Sequence, residues 1–122
     1  MDWNGDGVLD YATSEADTIL AVTEVHSGVD GSVLLSVPDA WEQMLSDLDL
    51  DGDGQKDLVV GDYRHQNYYG DLKAYSHNGT LLYHLLGTSS GSNYPQMGLA
   101  NSFAPIGDVD DDGRDDFVMG CY

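Results

Sequence analysis

An all-β fold built from repeated antiparallel four-stranded meanders is what this sequence predicts, and three observations predict it. A nine-residue device with Asp at its first, fifth and ninth places, Asp or Asn at its third and Gly at its sixth occurs three times, at Asp2–Asp10, Asp49–Asp57 and Asp108–Asp116. Tight-turn dipeptides, Asp30-Gly31 and Asn78-Gly79, recur 48 residues apart and so keep step with the first two devices, which are 47 residues apart. Between these points lie short runs of Val, Leu, Ile, Thr and Tyr, of strand length and bounded by Gly, Pro, Asn and Asp.

The elements follow in order. After the first device, Tyr11-Ala12-Thr13 reads as a weak strand and Thr18–Val25 as a stronger, β-branched one. Asp30-Gly31 turns the chain into Ser32–Val37, and Pro38 ends that strand. Ala40–Leu48 fits either a short helix, from the spacing of Trp41, Met44, Leu45 and Leu48, or a strand. The strand is preferred, because the third copy has Phe103-Ala104-Pro105-Ile106-Gly107 at the same place. Asp57–Gly61 reads as a buried strand, Asp71–Ser76 as a half-exposed one, and Asn78-Gly79 as a hairpin turn into Thr80–Leu86. Thr88–Met97 is a polar loop, and a third unit runs from Phe103 through a strand at Phe117-Val118-Met119. One unit is thus strand, acid loop, strand, loop, strand, tight turn, strand, about 50 to 60 residues and the size of a propeller blade. The expected division is a partial blade at 1–38, a second blade at 39–87 and the start of a third at 88–122.

Length and composition bound the rest. The 122 residues make at most one ordinary domain, and 41% apolar content is enough for a core. The formal charge of −18 comes from 22 acidic and 4 basic residues, which disfavours nucleic acid and anionic membranes as partners. Nineteen of the acids are Asp and eleven of these stand at the first, third, fifth or ninth places of the acid loops, so much of the charge is local. Cys121 is the single cysteine and excludes an intrachain disulfide. No apolar run is long enough to insert in a membrane, and no signal peptide is visible. Met1 directly before the loop residue Asp2 suggests a piece of a longer chain.

The acid loops carry the chemistry. Alternate side chains of an extended or turning loop point the same way, so Asp49, Asp51 and Asp53 can converge. Gly54 lets the backbone turn with positive φ, bringing in the carbonyl of Gln55 and the carboxylate of Asp57. Carboxylates so close repel unless a cation sits among them, and an oxygen-only cage of flexible geometry suits Ca²⁺ better than Zn²⁺ or Mg²⁺. Three such ions would bring the formal charge to −12. An EF-hand or dockerin would need an acid at the twelfth place, where Thr13, Val60 and Met119 stand.

Ile106–Gly120, with Asp47–Gly61 and more loosely Asp2–Asp10, resembles the FG-GAP repeat, the blade of the integrin α-subunit propeller. Phe103-Ala104 stands where the namesake Phe-Gly would be, and Gly61-Asp62-Tyr63 and Gly120-Cys121-Tyr122 replace the Gly-Ala-Pro element. The resemblance implies calcium in the loop between the first and second strands of each blade. By position the ligands are Asp2, Asn4, Asp6, Val8 and Asp10; Asp49, Asp51, Asp53, Gln55 and Asp57; and Asp108, Asp110, Asp112, Arg114 and Asp116, with Val8, Gln55 and Arg114, at the seventh place of each loop, acting through their carbonyls.

Function is expected to be binding: a calcium-binding propeller segment in an extracellular or cell-surface adhesion or scaffold module, with a protein or carbohydrate ligand. Arg64, His65, Tyr68 and Tyr69, with Tyr94 from the Ser92–Gln96 stretch, are expected on the rim opposite calcium as the ligand contacts. Two blades and a piece cannot close a ring, so the chain is expected to belong to a longer propeller or to assemble as a homo-oligomer. The alternative is the propeller portion of a polysaccharide-degrading enzyme such as a rhamnogalacturonan lyase, with Arg64 and His65 near substrate. No catalytic constellation is legible: His26, His77 and His84 read as structural or solvent-facing, and the close Asp pairs belong to the loops. Asn78-Gly79-Thr80 is a formal glycosylation sequon that the hairpin already explains.

Overall fold

A computed structural model of the chain describes residues 1–16, 21–38, 43–88 and 98–121. Among these described residues nine strands form, with one helical turn: β1 (Tyr11–Ala16), β2 (Ala21–His26), β3 (Val33–Val37), β4 (Gln43–Leu48), β5 (Asp57–Asp62), α1 (His65–Tyr68), β6 (Asp71–Tyr75), β7 (Leu81–Leu86), β8 (Ser102–Gly107) and β9 (Asp116–Gly120). They make three antiparallel sheets in sequential order, β1-β2-β3, β4-β5-β6-β7 and β8-β9. The fold is therefore all-β and antiparallel, as the hairpin signals predict, and the central sheet is a complete four-stranded meander in blade order. The ring is not closed by these sheets. Leu20 and its neighbours 17–19, Trp41 and the Ser92–Gln96 stretch with Tyr94 lie outside the described residues.

Strand β5 is the middle of the structure. Asp57, Leu58, Val59, Val60, Gly61 and Asp62 are all buried, which is why the segment reads as a continuous apolar run and not as an alternation. Leu58, Val60 and Tyr75 of the second sheet share a core with Val25, Leu35 and Val37 of the first sheet and with Trp3. Val59 faces the third sheet with Leu48, Leu50, Leu72, Ala74 and Ala100, and Phe103, Phe117 and Met119 pack on these. Each Val or Leu side chain buried this way contributes about 1.5–3 kcal/mol. Strand β4 packs against β8, so corresponding strands of the second and third sheets are neighbours.

The single helical turn departs from the loop expected between β5 and β6. The Asp62 carboxylate accepts the Arg64 N–H at 2.8 Å and starts the turn, and Tyr69 and Gly70 N–H groups close on the His65 carbonyl. Tyr68 carries φ +69 and Gly70 φ +89, and Gly70 is bridged to Leu99 so closely that a Cβ would overlap the Leu99 backbone.

Close approach also fixes Gly61. A Cβ there would overlap the Phe103 ring and stand 2.7 Å from the Ala100 Cβ, where the second sheet meets the third. Gly61→Ala is expected to destabilise the fold by about 1–3 kcal/mol through overpacking. The check is a lowered urea midpoint, with Phe103→Leu in the same chain recovering part of the loss.

Candidate metal centre

Each acid loop is closed by backbone pairing between the residue before its first place and the residue at its ninth. Leu48 pairs with Asp57 and Gly107 with Asp116, each just after a register shift in the preceding strand, and the Asp10 N–H donates to the Met1 carbonyl at 2.6 Å. The register shift is a bulge that re-aims the chain out of the sheet and into the loop.

Inside the loops one hydrogen-bond pattern repeats three times. The first-place carboxylate accepts the N–H groups of places five and six: Asp2 from Asp6 and Gly7, Asp49 from Asp53 and Gly54, Asp108 from Asp112 and Gly113, at 2.8–3.1 Å. The third-place oxygen (Asn4, Asp51, Asp110) accepts the fifth-place N–H, and the fifth-place carboxylate (Asp6, Asp53, Asp112) accepts the seventh-place N–H. The sixth-place glycines Gly7, Gly54 and Gly113 have φ +85, +83 and +87. At these angles a side chain would be strained, and that is the physical reason for glycine at this place.

The ninth place ties the loop to its sheet. Asp57 is fully buried, its Oδ2 accepting the Leu50 N–H at 2.7 Å and its Oδ1 the His77 N–H at 2.9 Å. Asp10 repeats this with the N–H groups of Trp3 at 2.6 Å and Gly28 at 2.9 Å. Asp116 accepts the Val109 N–H at 3.0 Å. In two units, therefore, the ninth-place carboxylate links the acid loop to the turn after the next strand but one.

Electrostatics separate these equivalent residues. Burial pushes the Asp57 carboxyl above the ordinary aspartate range, helped by Asp51 and Asp53 and opposed by the N–H groups of Leu50 and His77. Asp10 is lowered instead, chiefly by the Gly28 N–H, with Trp3, Asn4 and the N-terminal ammonium adding and burial opposing. Tyr83, at the cleft between the second and third loops, is pushed up to about 12 by burial and by Asp57 and Asp116.

The structure brings together carboxylate oxygens of Asp49, Asp51 and Asp57, and of Asp108, Asp110 and Asp116, all within 4.8 Å of one another in each set. Only hard oxygen donors are present in these sets, which is the donor chemistry of a calcium-like cation. Asp53 and Asp112 stand one step aside, each holding the N–H two residues on. In the first loop Asp2, Asp6 and Asp10 are not gathered this way. Its third place is Asn4, whose amide nitrogen donates to Asp6 at 2.9 Å.

On the opposite side, Arg64 is exposed, with its Nε donating to the Tyr63 hydroxyl at 3.0 Å and its guanidinium 5.2 Å from the Tyr63 ring centroid. Tyr68 is exposed, and the carbonyls of Tyr68 and Tyr69 accept the N–H groups of Gly98 and Leu99. His65 lies 3.9 Å from Asp62 and 4.0 Å from Asp71. The structure adds what residue spacing does not reveal: Asp71, nearly buried, also meets His84 at 2.5 Å and Lys73 at 4.0 Å. Asp62 and Asp71 are register partners, and acids flanking one strand connection were the available signal. Of the other imidazoles, His77 stacks on Trp3 at 5.0 Å and His26 on Tyr11 at 5.1 Å.

Over 73 residues, 60% of the chain, the sequence is 37% identical to integrin alpha pat-2 of Caenorhabditis briggsae and, over the same length, 34% identical to integrin alpha pat-2 of Caenorhabditis elegans. The matched part spans 6% of the length of each of those relatives. No family model matches the chain. Among the described residues no helix is long and apolar enough to cross a membrane.

Proposed function

We propose that this chain is a calcium-stabilised β-propeller segment that serves as a binding or scaffold module in adhesion, outside the cell or at its surface. The observation that carries the reading is the threefold hydrogen-bond pattern of the acid loops, with two loops gathering three carboxylates each within 4.8 Å. The similarity to integrin alpha supports the adhesion part. The proposed blades are residues 1–38, 39–87 and 88–122, belonging to a longer propeller or to a homo-oligomer that completes one.

Calcium would supply positive charge that removes the repulsion among the loop carboxylates. Asp49, Asp51, Asp53 and Asp57 would hold it in the second loop with the Gln55 carbonyl. Asp108, Asp110, Asp112 and Asp116 would do so in the third with the Arg114 carbonyl, and Asp2, Asn4, Asp6 and Asp10 in the first with the Val8 carbonyl. The backbone N–H groups already bound to these side chains orient them before a cation arrives. Extracellular modules of this donor type have Kd of roughly 10⁻⁴–10⁻³ M, matched to millimolar calcium outside cells, which supports that location. The rim with Arg64, His65, Tyr68 and Tyr69 offers aromatic and cationic groups to a protein or glycan ligand.

A calorimetric calcium titration of the 122-residue chain is expected to return two or three sites with sub-millimolar to millimolar Kd, with magnesium a poor competitor. Arrayed matrix proteins and glycans are then expected to capture the chain in calcium but not in EDTA, and Tyr68→Ala with Arg64→Ala to weaken capture without changing the calcium isotherm. A chain that takes up no calcium at 10 mM defeats the reading.

A further inference from the structure

We propose that Asp115 is a positioning residue that couples the second and third acid loops, so that a cation held by one raises the affinity of the other. The inference rests on the calcium reading above and adds communication between two of its sites. Asp115 is at the eighth place of the third loop, beside Asp116, and is not among the expected ligands. Its backbone N–H donates to the Asp49 carbonyl at 2.7 Å, and its Oδ2 accepts the Asp49 N–H at 2.9 Å. One residue of the third loop thus holds both main-chain groups of the first-place residue of the second. The Asp49 carboxylate in turn gathers the N–H groups of Gly52, Asp53 and Gly54, so fixing Asp49 fixes the turn of its own loop.

A second contact lies alongside. A Cβ on Gly52 would stand 3.3 Å from the Gly113 carbonyl oxygen and 3.5 Å from the Arg114 Cγ, so the two loops touch where the second has no side chain. Ordering Asp115 by filling the third loop therefore removes part of the ordering cost of the second. By thermodynamic linkage the effect is reciprocal. The clamp is particular to this pair: the eighth places of the other loops hold Leu9 and Lys56, and Lys56 Nζ lies 3.4 Å from Asp47 of its own unit.

The test uses the 122-residue chain with its first loop disabled by Asp2→Ala and Asp6→Ala, leaving two sites for calorimetric titration with calcium. Disabling the third loop by Asp110→Ala with Asp112→Ala is expected to weaken the second about 5- to 10-fold, a coupling of ordinary size. Asp115→Ala is expected to abolish that dependence, leaving the second loop equally weak with the third intact or disabled. Asp115→Asn keeps an oxygen acceptor for the Asp49 N–H while removing the charge, and is expected to retain the dependence. It also carries the test if circular dichroism shows the Ala variant unfolded. Second-loop affinity indifferent to the third loop, or an Asn variant behaving as the Ala variant, would overturn the coupling and leave calcium binding standing. No calcium uptake by the two-loop parent would overturn the calcium reading, and the coupling with it.

Discussion

Excess EDTA is expected to lower the thermal unfolding midpoint of this chain by about 15 °C or more relative to 10 mM calcium. A ligand that binds only the folded state stabilises it by RT ln(1 + [L]/Kd), about 1.4–2.7 kcal/mol per loop for a ten- to hundredfold excess over Kd. Three loops would contribute about 4–8 kcal/mol, and each kcal/mol moves the midpoint of a domain this small by roughly 4–8 °C. The physical source is the crowding of Asp49, Asp51 and Asp57, and of Asp108, Asp110 and Asp116. Differential scanning calorimetry at fixed pH and ionic strength, with magnesium in place of calcium as a control, reads the shift. Coincident melts in calcium and EDTA would mean that the loops fold without an ion.

The second large effect is expected at Asp57. Its two oxygens hold the N–H groups of Leu50 and His77 where no water reaches, and hydrogen bonds to a charged group contribute about 1.5–3 kcal/mol each. Removing the carboxylate also relieves its repulsion with Asp51 and Asp53, so in EDTA the net cost of Asp57→Ala is expected to be about 2–4 kcal/mol. In calcium the cost rises by the lost ion, about another 1.4–2.7 kcal/mol. Asp57→Asn, with one acceptor and two donors, is expected to recover about half of the EDTA cost. Urea unfolding in both buffers makes the comparison, and an Ala variant as stable as the parent in EDTA would show that the two N–H groups need no such acceptor.

The acid loops and most strands were legible because their causes are local. Alternate carboxylates around an obligatory left-handed glycine leave few alternatives, and Asp-Gly or Asn-Gly between β-branched runs specifies a hairpin. Strand β4 was ambiguous for a reason the structure supplies. Leu45 and Leu48 face the same core although three residues apart, because a bulge lies between them, and that spacing mimics a helix. The turn of α1 was not legible, since it is set by the Asp62 side chain and by docking of residues 98–99 onto Tyr68 and Tyr69. Two features depend wholly on topology. Asp115 and Asp49 are 66 residues apart, and the Asp71 cluster draws His65 and His84 from opposite sides of a hairpin. Neither leaves a periodic trace in the residue order.

The division of bonding between and within the sheets has a mechanical consequence. Each sheet is laced internally by main-chain hydrogen bonds, whereas neighbouring sheets meet chiefly through apolar side chains, with the Asp49–Asp115 bracket as a polar exception. Under tension such a stack is expected to yield first at its seams and one unit at a time, absorbing a pulling load in steps, with the bracketed seam the stiffer of the two.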